Sequence, residues 1–559
     1  MQRTCKHCSS TFDVTNDDLR FLKDLSPMIG GKVQELPPPT LCPDCRQQRR
    51  CAQANQLNLY ERTCDLTGAM MISNYHPSGP YKVYRQEDWY SDRWDPLQYG
   101  REFDFSRPFF PQWQELSLAV PRPSLHRGFV YDENADYTNY AGKNKNCYLI
   151  FDSDENRDCY YSYSLERSES CMDCYRVRDS ELCYEVVDSI KCYNCAWLQD
   201  CDNCSDSAFL KNCIGCKHCL MCSNLRNKEY HVENKPVTKE QFEEYRAMLG
   251  SHANVQTAGE RFNQLRLTFP QKYIHGVHNE DFTGDYLTNC KNSYHCFDSN
   301  DLWDCRYVYQ AFMGMKNSMD IQECGDAERV YESCFSGYNS YGYLFCAHCL
   351  GEPAEILYCT YSPHSKNLFG CIGVMHKQYC ILNKQYTKEE YEELVPKIIG
   401  HMRNTKEWGE FFPVELSTFS YNETLAHDHF LLPKKEVQSR GWRWLDDVEK
   451  RDRYKGPVVE LPDDIKDATD DLCKKILTCE VSKRQYKIIP QELKLARQMH
   501  IPLPLKSFFQ RHTERMAKRN PRRLWDRECA KCRKAIQTTY APDRPEIVYC
   551  EECYLQTVY

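Results

Sequence analysis

Cysteines fall at 147, 159, 171, 183 and 195, a spacing of 12 held through four intervals, and then alternate 9 and 12 through Cys192, Cys201, Cys213 and Cys222. A fixed short period is the mark of a unit that stacks on copies of itself. Gly, Asn, Asp and Ser punctuate the segment too often for helix, so each unit is expected to be a strand plus a turn. Two such units would make one coil of about 21–24 residues. A small, polarisable thiol can stack on its equivalent in the next coil without leaving a void. The expectation is a parallel β-solenoid with inward cysteines. The rival is a thiolate cluster holding several metal ions, strongest at Cys213, Cys216, Cys219 and Cys222, which lie three apart. If the thiols pack, Cys→Ser is expected to cost about 1–3 kcal/mol where the hydroxyl lacks a partner, and Ala or Val to be better tolerated.

The pattern occurs twice. Lys145-Asn146 with Phe151-Asp152-Ser153 is echoed by Lys291-Asn292 with Phe297-Asp298-Ser299, and Cys334, Cys346, Cys359 and Cys371 recur at 12, 13 and 12. Each arm runs into a capping box, Thr238 with Gln241 and Thr387 with Glu390, which predicts a helix closing the end of the stack.

Both ends of the chain carry paired cysteines. Cys529 and Cys532, then Cys550 and Cys553, have the spacing of a four-thiolate zinc ribbon, with Ile536 to Tyr540 and Glu546 to Tyr549 expected as a hairpin between the knuckles. A gapless shift of 465 positions sets Cys64 on Cys529, Tyr75 on Tyr540, Arg46 on Arg511, Arg50 on Arg515 and Asn55 on Asn520. The ligand positions of that N-terminal copy hold Thr67, Arg85 and Asp88 after Cys64. The same 465 shift sets Cys42 and Cys45 on Ser507 and Gln510, and nine further residues of loop, a shift of 474, set Cys5 on Cys479. Each terminus is thus expected to hold two ribbons, one metal-binding. The N-terminal pair keeps Cys5, Cys8, Cys42 and Cys45; the C-terminal pair keeps Cys529, Cys532, Cys550 and Cys553. Two Zn²⁺ ions per chain are expected.

The expected organisation is tandem ribbons over 1–90, an aromatic connector over 91–128, and solenoid arms with closing helices over 129–250 and 251–401. A second aromatic connector with an acidic linker follows over 402–472, and tandem ribbons over 473–559. The fold class is mainly β and multidomain. In the first connector, Phe109, Phe110 and Trp113 should share one face of a short helix opened by Ser106 and Pro108. His427-Asp428-His429 reads as a polar turn. Cys346-Ala347-His348-Cys349, on the 12-residue rhythm, reads as core packing.

The net charge of −8 conceals a split: residues 131–206 carry seventeen acidic and seven basic groups, whereas 483–534 carry sixteen basic and four acidic. Arg511, Arg515, Lys518, Arg519, Arg522 and Arg523 form a basic arm suited to phosphate, or to the acidic arm of the same chain. No apolar run approaches a membrane span. The start leads straight into a knuckle with no room for a signal peptide, so a cytoplasmic location is expected. A Gly-rich phosphate loop, a Gly-x-Ser-x-Gly elbow and His-Glu-x-x-His are all missing from the sequence, and no motif argues for an enzyme.

Through Leu41-Cys42-Pro43-Asp44-Cys45-Arg46, Cys64-Asp65-Leu66-Thr67-Gly68, the Cys-rich centre and Ile536 to Cys553, the chain resembles a group of uncharacterised bacterial multi-zinc-ribbon proteins, some of them labelled CaiB/BaiF family. The resemblance implies zinc but no biochemical role. The residues point to a zinc-binding scaffold whose basic C-terminal tandem binds RNA or ribosomes. The alternative is a protein-docking solenoid with purely structural zinc. An enzyme or thiolate metal store comes third.

Overall fold

Along the Cys-rich segment the backbone repeats every three residues. Asn146, Leu149, Asp152, Glu155 and Asp158 all adopt φ between 50° and 61°, and the same step continues to Glu233. Left-handed residues are uncommon away from glycine, and Asn and Asp tolerate them best, which accounts for the Asn/Asp-rich composition. Each such residue turns the extended chain through a corner. Four corners fill 12 residues and bring the chain back beside itself. Phe151 pairs in parallel with Tyr163, Tyr163 with Tyr175 and Tyr175 with Val187; further on, Ala196 pairs with Ala208 and Ala208 with Leu220. The expected coil of 21–24 residues is therefore corrected: one circuit takes 12, because the corners come every third residue rather than at strand ends.

The structure is a computed structural model and describes every residue except 313, 325, 326, 329, 337–339, 350, 447–455, 457 and 458. It is rich in strand and divides into two compact units. The first comprises Met1–Leu125, Ile274–Leu445 and Arg522–Leu524; the second comprises His126–Tyr273, Asp446–Pro521 and Trp525–Tyr559. Each unit holds one parallel stack and one ribbon tandem, crosswise in sequence. The N-terminal tandem belongs with the later stack, and most of the C-terminal tandem with the earlier one.

Inside the second unit's stack, every third side chain points inward. Cys147, Ile150, Ser153, Asn156, Cys159, Ser162, Leu165, Ser168 and Cys171 are all buried. Cysteine and serine do the same job there. The Cys159 thiol donates to the Arg157 carbonyl at 3.2 Å, and the Ser162 hydroxyl donates to the Tyr160 carbonyl at 2.9 Å. Cys213, Cys216, Cys219 and Cys222 likewise donate to the carbonyls of Lys211, Ile214, Lys217 and Leu220 at 3.2–3.5 Å. An inward hydroxyl thus has a partner, which reverses the expected ranking of substitutions. Cys159→Ser should cost no more than about 1 kcal/mol, and less than Cys159→Ala, which leaves a void. Urea midpoints decide it: a Ser variant weaker than the Ala variant would show that burying the hydroxyl dominates.

The first unit's stack pairs at offsets of 12 and 13: Phe297 with Tyr309, Arg306 with Met319, Met319 with Tyr331, Tyr331 with Leu344 and Ala354 with Lys366. Tyr309, Tyr331, Phe345, Tyr358 and Phe369 form an apolar face covered by three helices, Asn16–Leu25, Phe109–Ala119 and Lys388–Asn404. Phe109, Phe110 and Trp113 are buried on the connector helix, as its pattern predicted, together with Gln112, Leu116 and Ser117. Both capping boxes are present. Thr238 opens Lys239–Ala247 and Thr387 opens Lys388–Asn404, each just after an antiparallel hairpin that ends its stack. A hairpin with a helix behind it blunts an edge that would otherwise offer free backbone groups.

Two local expectations fail. Ala535–Thr538 pairs with Trp525–Glu528 upstream, and Val548–Tyr549 pairs with Gln271–Lys272, so no hairpin joins the C-terminal knuckles. Two prolines in Ala541 to Pro545 remove donors from that turn, and a strand distant in sequence supplies the missing partner. His427-Asp428-His429 is likewise no turn; it ends the short helix Leu425–His429. Among the described residues no helix is long and apolar enough to cross a membrane.

Candidate metal centres and arginine clamps

Cys5, Cys8, Cys42 and Cys45 converge, as do Cys529, Cys532, Cys550 and Cys553; within each set all four sulfurs lie within 4.8 Å of one another. They are the metal-competent groups found among the described residues. Cys8 and Cys42 sulfurs are 3.7 Å apart, and so are those of Cys532 and Cys550. That is the edge of a tetrahedron with metal–sulfur bonds of about 2.3 Å. In both sets the second cysteine is exposed and the other three are buried. Cys42 stands at the N-cap of Pro43–Cys51 and Cys550 at the N-cap of Glu551–Val558, so the second knuckle of each site is a helix start. A hydrogen bond from Cys45 draws the Cys42 thiol down to about 5 against the opposing effect of burial. Burial also opposes ionisation of Cys529, yet the backbone N–H groups of Cys532, Cys550 and Lys531 hold it at about 6. The same contacts push other members up: the hydrogen bond with Cys42 raises Cys45, and burial with neighbouring thiols raises Cys550 and Cys553. Each set thus holds its first negative charge on one sulfur, the thiolate being the form that ligates metal.

The two stretches expected as degenerate ribbons carry hydrogen bonds at their ligand positions. Cys64 accepts the Arg85 N–H at 3.3 Å and lies 3.9 Å from an Asp88 carboxylate oxygen. Cys479 accepts the Ser482 N–H at 3.4 Å, and the Ser482 and Ser507 hydroxyls meet at 3.5 Å.

The basic arm is engaged within the protein. Arg511 donates to Asp173 at 3.0 Å; Arg515 donates to the same oxygen at 2.7 Å and to Glu185 at 2.9 Å. Lys518 reaches Glu185 at 2.9 Å and Arg519 reaches Asp188 at 2.7 Å. The Arg511 and Arg519 guanidiniums lie over the Tyr161 and Tyr175 rings. In the first unit Arg522 donates to Asp298 at 2.7 Å. Arg511, Arg515, Arg519 and Arg522 are largely withdrawn from solvent, whereas Arg523 is exposed. The N-terminal tandem seats itself in the same way. Arg46 and Arg50 share Asp320 at 2.8 and 3.0 Å, and Arg46 lies over Tyr307.

The carboxylates that receive these arginines went unnoticed in the sequence, although a signal existed. Tyr161, Asp173, Glu185, Trp197 and Phe209 stand 12 apart; Tyr307, Asp320, Glu332, Phe345 and Tyr358 stand 12 or 13 apart. The order tyrosine, acid, acid, aromatic, aromatic recurs in both. Elsewhere, His348 of Cys346-Ala347-His348-Cys349 bonds the Gln53 carbonyl at 3.1 Å and stacks on Tyr361, while both cysteines are buried.

Glu492 lies 3.5 Å from Arg511. Burial, with Asp173 adding to it, pushes its carboxyl up to about 7 against the pull of Arg511. A carboxyl raised on folding contributes stability that is present in full below its unfolded value and is lost as pH rises through its folded one. Stability of the wild type relative to Glu492→Gln should therefore fall between about pH 4.5 and about pH 7. Denaturant unfolding across that range checks it; parallel curves would contradict the buried-acid assignment.

No protein-family model matches the chain, and no curated protein matches it. Among solved structures, a candidate acetyltransferase from Desulfovibrio desulfuricans G20 aligns at 10% identity over 49% of this chain and 72% of its own, with a TM-score of 0.11. A likeness that weak carries no argument about fold or activity.

Proposed function

We propose that this protein is a scaffold built from two β-solenoid arms and held by two structural Zn²⁺ ions, and that it works by docking a protein partner. The observation that carries this reading is the closed donor set at each terminus. Four cysteines around one point leave no open position for substrate or water, which is the arrangement of a structural zinc site. The carboxylate partners of Arg511, Arg515, Lys518, Arg519 and Arg522 support docking over RNA binding, because each of these cations already meets a carboxylate of the same chain.

The purified full-length protein should contain close to two zinc ions by elemental analysis. Its retention of a labelled single-stranded RNA should be weak and should not change when Arg511 and Arg515 are replaced. If instead log affinity falls linearly with log salt, at roughly −0.7 per phosphate contact on a single strand, and that slope flattens in the double variant, the basic arm is a nucleic-acid surface and the docking reading is wrong.

A further inference from the structure

We infer that metal at Cys5, Cys8, Cys42 and Cys45 controls whether the helix Pro43–Cys51 is seated on the first unit's stack; this rests on the zinc reading above. The helix is unusual in what it buries. Cys45, Arg46, Gln47, Gln48, Arg49, Arg50 and Cys51 are all buried, so between its two cysteines it presents only arginine and glutamine to the protein. Taking such groups from water is costly, and a small error of placement leaves them without partners. Apolar burial cannot hold this helix in register. Something must fix its start.

The start is the second metal knuckle. Cys42 is the N-cap and makes no side-chain capping bond; Pro43 follows, and Cys45 lies in the first turn. The residue after Cys45 is Arg46, which bonds Asp320 at 2.8 Å and the Leu41 carbonyl, also at 2.8 Å. Arg49 bonds Glu410 at 2.9 Å, and Glu410 also accepts from Thr40 at 2.6 Å and lies 3.9 Å from Lys6. The Lys6 N–H bonds the Thr40 carbonyl at 3.1 Å. The two knuckles and the arginine clamp therefore share residues that are adjacent in sequence or bonded in space. A metal drawing the knuckles together sets Arg46, Arg49 and Arg50 opposite Asp320, Glu332 and Glu410.

The second unit provides the comparison. Its equivalent helix, Phe508–Ala517, has Ser507 and Gln510 where Cys42 and Cys45 stand, and Phe508 where Pro43 stands. Phe508 packs against the rings of Phe151, Tyr161 and His512. The clamp arginines are kept, but the start of the helix is fixed by an aromatic anchor instead of a metal. Removing metal should free one helix and leave the other seated. Cys8, the exposed member of the N-terminal set, offers the route by which metal leaves.

Cys51 reports the change, since it ends the helix, is fully buried and donates to the Gln322 side chain at 3.7 Å. In the full-length protein treated with excess zinc chelator, alkylation of Cys51, read by peptide mass, should accelerate at least about tenfold. Backbone amides of residues 44–52 should lose hydrogen-exchange protection while those of 508–517 keep theirs, and added Zn²⁺ should restore both. Cys8→Ser should lose one zinc ion and reproduce the change at 44–52 without chelator. The inference is overturned if zinc at this site is lost while Cys51 stays unreactive and residues 44–52 stay protected. A wild-type protein that holds no zinc yet protects Cys51 would instead overturn the zinc reading itself, and the coupling with it. Should Cys8→Ser not fold, the chelation time course on wild type gives the same decision.

Discussion

Cys532→Ser is expected to release one of two zinc ions and to unfold the C-terminal ribbon while leaving both parallel stacks intact. Structural zinc in small thiolate sites supplies roughly 10–16 kcal/mol of apparent binding free energy, far more than a ribbon of this size gains from its own core. That core is small: Ile536, Tyr540 and Val548 with Cys529, Cys550 and Cys553, and Tyr273 and Tyr549 packed beside them. Loss should therefore appear as protease sensitivity confined to residues 525–559, with zinc content halved. Full zinc content in the variant would mean that three thiolates suffice. Global unfolding would mean that the ribbon supports its whole unit.

Asp173→Asn should destabilise the second unit by about 3–5 kcal/mol, because it leaves two buried guanidiniums competing for Glu185 and Glu492. The side chain of Asp173 is inaccessible to solvent, and Arg511 and Arg515 are nearly so. Replacing all three by apolar residues of similar volume should cost less than the single change, since it removes the desolvated charges together. Asp320→Asn should act in the same way on the first unit, where Arg46 and Arg50 share that acid. Denaturant unfolding of the single and triple variants separates the two outcomes. A triple variant as unstable as Asp173→Asn would show that the clamp contributes net stability and not only a requirement for pairing.

Much of the local structure was legible. The thiol spacing of the terminal sets pointed to both four-cysteine clusters, and the capping boxes at Thr238 and Thr387 to two helices, because caps and chelate spacing are contacts between near neighbours. The 465-residue offset sets Arg46 and Arg50 on Arg511 and Arg515, and each pair shares one aspartate. The acidic arm was legible as a candidate partner and its acids stand in a 12-residue column, but which acid meets which arginine was not. Asp173 and Asp320 lie about 340 and 270 residues from the arginines they bind, so no local pattern links them. The true backbone step was also missed. Cysteine occupies only some inward positions, with Ser, Asn, Leu, Ile and Val in the others, so the visible period was one full circuit of 12 rather than one corner of three.

By itself the sequence determined the chemistry at each position: which thiols can share a metal, which small side chains can fill a tight interior, and which residues tolerate a left-handed corner. Each of these depends on a residue and its immediate neighbours. Only the tertiary structure decided which ribbon tandem belongs with which stack, that Val548–Tyr549 pairs with Gln271–Lys272 rather than across its own turn, and that the basic arm meets carboxylates of the same chain. A cationic run carries the same charge whether it faces solvent, phosphate or a buried aspartate. What settles its role is the partner that folding places a few ångströms away.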